Sequence, residues 1–355
     1  MQHRAENTLC RAAIMPNANI VFSIDIADAR STDIIKQVED QNAAIVTATS
    51  DATREKLEQA TGLTRNDLVA ALFAANFTNM SLNVISSPSF LSDVDAVAAL
   101  TLAKPLTHKG LLAAMQIMND NKHAVQVTEV SVEGKPAVAI RSANPTETPR
   151  YAATSKDGKT VYVAFNKRSL TSTLQRETSG SYEKICPDLQ MLEKQIPDHS
   201  QIRLLFRRPE SSAMPKLSSN NEPFGKLQTI SAGINLDKQI HCRAALTFTG
   251  SESAETAAAQ LRTLLPLFVM ATMQSTGNKT GVSLPSSLRI EAQDTVCNLS
   301  FTLSESDIIP QIIPQTPAHP VSNETGRTAA QPKSSGTPAE SPRSKTQRKD
   351  TGDNK

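Results

Sequence analysis

At 355 residues, with 39% apolar and 20% charged side chains, the chain has the composition of a soluble globular protein of about two ordinary domains carrying a polar appendage. Aromatic residues make up 4% and tryptophan is absent, which argues against base-stacking platforms and aromatic-lined sugar clefts. The formal net charge of +2 sits in the tail, where seven basic residues oppose four acidic ones from Pro310 onward. The remainder, near −1, has no electrostatic footprint for nucleic acid or an anionic membrane.

Residues 1–15 contain no continuous apolar segment of the kind a signal peptide needs and are expected to be flexible. NANIVFSIDI (17–26) alternates as a strand, with Ile20, Phe22 and Ile24 on one face, and ARSTDIIKQVED after it reads as a helix. TGLTRNDLVAALFAANF is also expected to be a helix, because Thr64 and Asp67 stand at capping-box spacing ahead of a Leu68, Leu72, Ala75 stripe. THKGLLAAMQIMND repeats the device, with Met115 and Met118 as core filler. Two hairpins follow. One turns at Glu133-Gly134-Lys135. The other turns at Asp157-Gly158 in a type I′ turn, which sets Ala152 against Val163 and Ala153 against Tyr162. A helix with Ile185, Leu189, Leu192 and Ile196 precedes the strand QIRLLFR, where Arg203, Arg207 and Arg208 read as a solvated strand end.

Prolines and a Ser/Asn cluster at 207–225 interrupt the pattern. We therefore expect a larger α+β domain at 16–208, a linker at 209–225 and a smaller α+β domain at 226–310. The smaller one reads as strand, strand, long helix (252–275, kinked at Pro266), strand, strand. Residues 311–355, rich in Pro, Ser, Thr and Lys, are expected to be a disordered tail. The longest apolar run, 264–273, is too short to span a bilayer, so no membrane span is expected.

His241 and Cys242 are adjacent in a strand, so they point to opposite faces and cannot share one metal or one nucleophilic step. Cys242 and Cys297 both lie on core-facing sides. They read as buried thiols, or as a disulfide if their Cα atoms come within about 7 Å. No pair of cysteines has zinc-ligand spacing and no nucleotide-binding glycine motif is present, so no metal and no cofactor are expected. Asp350-Thr351-Gly352 matches the tripeptide of pepsin-like proteases but lies in the polar tail. Asp25 and Asp237 end comparable strands in the two parts. Were the parts structural repeats, the two carboxylates would form an acid-base pair at low pH; otherwise both are ordinary strand-end carboxylates.

PNANIVFSIDI, RYAATSKDGKTVYVAFNKRSLTSTL and INLDKQIHCRAALTFTGSESAETAAAQL, with the closing LRIEAQDTVCNLSFTLSESDI, resemble uncharacterised exported proteins of verrucomicrobial and planctomycete bacteria. The resemblance implies a periplasmic or secreted protein of this strand order, although the given chain shows no export signal. It implies no functional residue. The resulting expectation is a non-enzymatic binding or scaffold protein whose partner is a protein or glycoprotein rather than nucleic acid. The competing expectation is a secreted acid-pH protease acting on extracellular or mucin-type glycoprotein through Asp25 and Asp237. A third is a cytoplasmic protein with reduced thiols.

Overall fold

The computed structural model describes residues 11–36, 48–77, 94–120, 125–143, 148–180, 187–209, 222–275 and 286–304, all within one compact unit, Met1–Gln315. These residues form an α+β structure around a single antiparallel sheet. In chain order the strands are β1 (Ile20–Asp25), β2 (Leu68–Asn76), β3 (Asp95–Leu102), β4 (Val125–Val132), β5 (Lys135–Ser142), β6 (Arg150–Thr154), β7 (Thr160–Ala164), β8 (Ile202–Arg207), β9 (Leu227–Leu236), β10 (Ile240–Phe248), β11 (Arg289–Gln293) and β12 (Val296–Leu303). The helices are α1 (Ile26–Ser31), α2 (Ala48–Thr61), α3 (His108–Asp120), α4 (Lys167–Ser179), α5 (Pro187–Gln195), α6 (Glu222–Gly225) and α7 (Ser251–Ser275). Across the sheet the order is β11-β12-β10-β9-β8-β1-β2-β3-β7-β6-β5-β4. The two expected parts are therefore halves of one layer: β8 pairs with β9 from Ile202↔Ile234 to Arg207↔Thr229, across the expected linker.

The run after Thr64 differs from expectation. The start signal is present, since Asp67 Oδ2 accepts from Thr64 N at 2.7 Å and from Thr64 Oγ1 at 2.9 Å. It opens only a short 3-10 turn, Arg65–Asp67, and the chain then enters β2. LVAALFAAN is apolar at both parities, and a strand covered on both faces satisfies that pattern as well as a helix does. Ala74 and Ala75, on opposite faces, are both fully buried. The 150–164 hairpin has the expected register, with Ala152↔Val163 and Ala153↔Tyr162. Its turn is not type I′: Gly158 alone takes positive φ (+71°), and Gly158 N donates to Ser155 O at 3.0 Å. At Glu133-Gly134, by contrast, both residues have positive φ, as a two-residue hairpin turn requires. Met118 is 59% exposed rather than core filler. Ile185, Phe268, Thr272 and the tail fall on positions or side chains outside the described set.

The sheet carries an internal duplication. β1-β2-β3, α3, β6-β7 recur as β8-β9-β10, α7, β11-β12, with β4-β5 added in the first half. A pseudo-twofold passes through the central antiparallel pair, where Phe22 faces Leu204. Irregular details repeat as well. Ile14 N→Arg11 O (2.9 Å) and Ala18 N→Met15 O (3.0 Å) lead into β1; Ile196 N→Glu193 O (3.2 Å) and Ser200 N→Pro197 O (3.1 Å) lead into β8. Asn19 Oδ1 accepts from Phe77 N at 3.0 Å, and Gln201 Oε1 accepts from Leu236 N at 2.7 Å. The register slips between Leu68↔Leu102 and Ala70↔Thr101 in one half, and between Leu227↔Phe248 and Thr229↔Thr247 in the other. Both following hairpins hold a left-handed residue, Gly158 or Asp294. Bulges and capping contacts arise from local geometry rather than composition, so their coincidence marks a repeated unit.

One face of the sheet carries α3 over β4, β5 and β6 and α7 over β10, β12 and β11. The opposite face carries α4 over β3, β6 and β7 and α5 over β8 and β9. Under α4, Val97, Ala99, Ala153, Tyr162 and Ala164 are fully buried. By register their counterparts in the second half are Arg243, Ala245, Glu291, Asn298 and Ser300. Arg243, Glu291 and Asn298 are exposed, so that face has become a solvated one.

Candidate functional site

The surface that stands out lies on the α3/α7 face, between the two helices. Strand alternation puts Phe22 and Ile24 of β1 on this face, and register extends each into a row across the sheet. One row runs Phe73, Phe22, Leu204, Ala232, Ala244, Leu299, and its neighbour runs Ala71, Ile24, Ile202, Ile234, Cys242, Phe301. Every one of these side chains is only half-buried. In the next row, Ile20, Phe206, Ile230, Leu246, Cys297, the side chains pack under α7 with Ala254, Ala257 and Ala258, and Phe206 and Cys297 are buried.

The pseudo-twofold shows that the opening is one-sided. Ile234 and Cys242 correspond to Ala75 and Ala96, which are fully buried in a cluster with Val94, Phe73, Phe77 and Phe165. The second half thus presents larger side chains, less covered, at the same positions. This strip, Ile202-Ile234-Cys242-Phe301 with the Leu204 row beside it, is the candidate site. Among the described residues it presents a half-buried apolar surface whose one ionisable side chain is Cys242.

The residues singled out by sequence lie as follows. His241 and Cys242 do point apart: His241 Nδ1 is 3.0 Å from Thr302 Oγ1 on the solvated face, while Cys242 lines the strip. Cys242 and Cys297 share a face and both are free thiols. The disulfide alternative does not fit the register, because Cys242 faces Phe301 whereas Cys297 faces Leu246, four residues along β10 or roughly 13 Å away. Burial pushes both thiols up from the ordinary cysteine range, with Arg262 partly opposing it at Cys297. Asp25 and Asp237 are not brought together as a pair. Asp25 Oδ1 caps α1 by accepting from Asp28 N at 3.0 Å, and the twofold mate of Asp25 is Arg207; Asp237 is exposed in the β9-β10 turn.

The arginines taken as a solvated strand end instead tie elements together. Arg203 donates to Ser200 O and Asp198 O, both at 3.0 Å. Arg207 bridges to Asp188 at 3.2 Å, and Arg208 donates to Gly225 O. On edge strand β11, Arg262 Nε donates to Ile290 O at 2.9 Å, which makes that edge less open to strand addition. Among the described residues no group of His, Cys, Asp and Glu could hold a metal ion, and no helix is long and apolar enough to cross a membrane. Sequence reading found the parity of β10 but not the strip, because an open apolar row and a covered one look alike until the neighbouring strands are known. No protein family, curated protein or solved structure matches this chain.

Proposed function

We propose that the protein is a non-enzymatic binding or scaffold module that holds an extended apolar segment of a protein or glycoprotein partner across the strip. The half-buried Ile202-Ile234-Cys242-Phe301 row, in which Ile234 and Cys242 stand where the first half has the fully buried Ala75 and Ala96, carries this reading. An extended chain lying across the strands gains burial from each large side chain it covers, and the small Ala232 and Ala244 leave room for it. The acid-protease reading finds no support, since Asp25 caps a helix and Asp237 stands in an exposed turn. The resemblance to exported proteins supports the cell envelope or its exterior as the place of work, and fractionation of the native host checks it.

The binding test is titration with reduced, carboxymethylated lactalbumin, a permanently unfolded chain, against the wild type and Ala232→Glu. A charge at the centre of the strip should weaken saturable binding by about tenfold or more, since it forces a carboxylate into the apolar contact. Equal binding by the two proteins refutes the site.

A further inference from the structure

We propose that Arg243 of β10 and Arg289 of β11, with Ser300 of β12 between them, form a binding site for a phosphate monoester on the solvated sheet face of the second half. The site lies on the opposite face from the apolar strip and does not depend on it. Ser300 stands directly opposite both arginines, which therefore rise from one row two strand spacings apart, ~10 Å. Parity puts all three on one face, because their neighbours Cys242, Leu299 and Ile290 belong to the other. Both arginines are exposed, and among the described residues neither they nor Ser300 makes a side-chain hydrogen bond or ion pair. Two like charges about one Debye length apart repel each other. An anion above Ser300 replaces that repulsion with two attractions, and each guanidinium has to lean over only one strand spacing, ~5 Å, to reach it. A phosphate monoester matches the row: it brings a charge of about −1.5 to −2 and three terminal oxygens to two planar guanidinium forks and one hydroxyl. A carboxylate, with one charge and two oxygens, would leave one arginine unpaired.

The first half shows that the fold does not demand this row. There the same register holds Val97, Ala164 and Tyr151; Val97 and Ala164 are fully buried and Tyr151 packs against their cluster under α4. Exposure alone would be met by any polar set, with acids interspersed among bases as surfaces ordinarily carry them. Instead, both positions flanking the small central residue hold arginine. Glu291, on the neighbouring row opposite Asn298, makes no ion pair with Arg289 among the described residues. Arg203 continues the row on β8 but is already engaged, donating to Ser200 O and Asp198 O and standing 3.8 Å from Glu193.

The test is calorimetric titration of the full chain with phenyl phosphate at low salt. Binding should be saturable with one site per chain, and it should weaken as pH falls through the second ionisation of the ligand, about pH 6. Arg243→Met and Arg289→Met should each weaken it by about tenfold or more, the loss expected for one charge-assisted fork. Arg289→Lys, which keeps the charge but not the fork, should weaken it several-fold. Arg141→Met removes the same charge from exposed β5 and should leave the affinity within about twofold, whereas Glu291→Gln should tighten it by a similar factor. Unchanged urea midpoints confirm that the variants fold. Inorganic phosphate separates two sources that both uphold the site: equal affinity assigns it to the free ion, and weaker binding than phenyl phosphate assigns it to the ester. No saturable binding by the wild type overturns the proposal. So does an equal loss in Arg243→Met, Arg289→Met and Arg141→Met, which would mean attraction to net charge alone.

Discussion

Gly233→Ala probes the duplicated core directly. A Cβ at Gly233 would stand 2.5 Å from Ser200 Oγ and 2.6 Å from Ile196 Cγ2, both on the α5–β8 connection. The backbone is not in the left-handed region, so alanine costs nothing there and by itself should stabilise by about 0.4–1 kcal/mol through the unfolded chain. Overpacking of this kind costs about 1–3 kcal/mol, so the expected net effect is destabilisation by ~1–2 kcal/mol. The first half predicts the remedy. Gly233, Ser200 and Ile196 correspond to Ala74, Ala18 and Ile14, so a Cβ is accommodated where the hydroxyl is missing. Ser200 Oγ is buried with no hydrogen-bond partner, and removing it by Ser200→Ala should be neutral or stabilising. The double variant should recover at least ~1 kcal/mol relative to Gly233→Ala alone, a coupling that distant sites do not show. Urea midpoints at unchanged m-value measure all four proteins. A double variant no more stable than Gly233→Ala would refute both the contact and the twofold correspondence.

Gly158→Ala should cost about 1–2 kcal/mol, because φ is +71° and a Cβ would lie 3.0 Å from Leu106 O; a thermal melt unchanged from wild type would contradict this. Asp67 is held below the ordinary carboxylate range by the hydrogen bonds from Thr64 N and Oγ1, with Lys104 assisting. A lowered carboxylate stabilises the fold above its unfolded-state range and loses that contribution as pH falls through the folded value. Asp67→Asn should therefore be less stable than wild type by a constant amount above about pH 5, a gap that closes below about pH 4. A gap that widens on acidification would reverse the assignment. Cys297, fully buried and raised by desolvation, should resist iodoacetamide at pH 8 until the protein is unfolded, whereas air oxidation should leave no Cys242–Cys297 bridge in a non-reducing peptide map.

Residues with a clear alternation or an isolated turn signal were legible. β1, the register of the β6-β7 hairpin and the opposed directions of His241 and Cys242 follow from period two and a glycine. β2 read as a helix because a genuine capping pair precedes an alanine-rich run, and only burial on both faces decides between the two structures. β3 and α4 drew no reading: DAVAALTL lacks polar alternation, and KRSLTSTLQRETS has too few apolar residues to mark a stripe, though Leu170 and Leu174 are buried. The duplication left one clear trace, AALT at 98–101 and again at 244–247, which occupy equivalent positions on β3 and β10. Strand pairing and bulges survive the replacement of Val97 by Arg243 or Tyr162 by Asn298; residue identity does not.

The seam between the halves has a temporal cost. Phe22 meets Leu204 about 180 residues further on, so during synthesis β1 waits with one bare flank until the whole first half and then β8 have emerged. Throughout that wait its free rim can recruit the matching strand of a neighbouring nascent chain, and domain-swapped pairs are the failure this architecture invites when ribosomes are crowded.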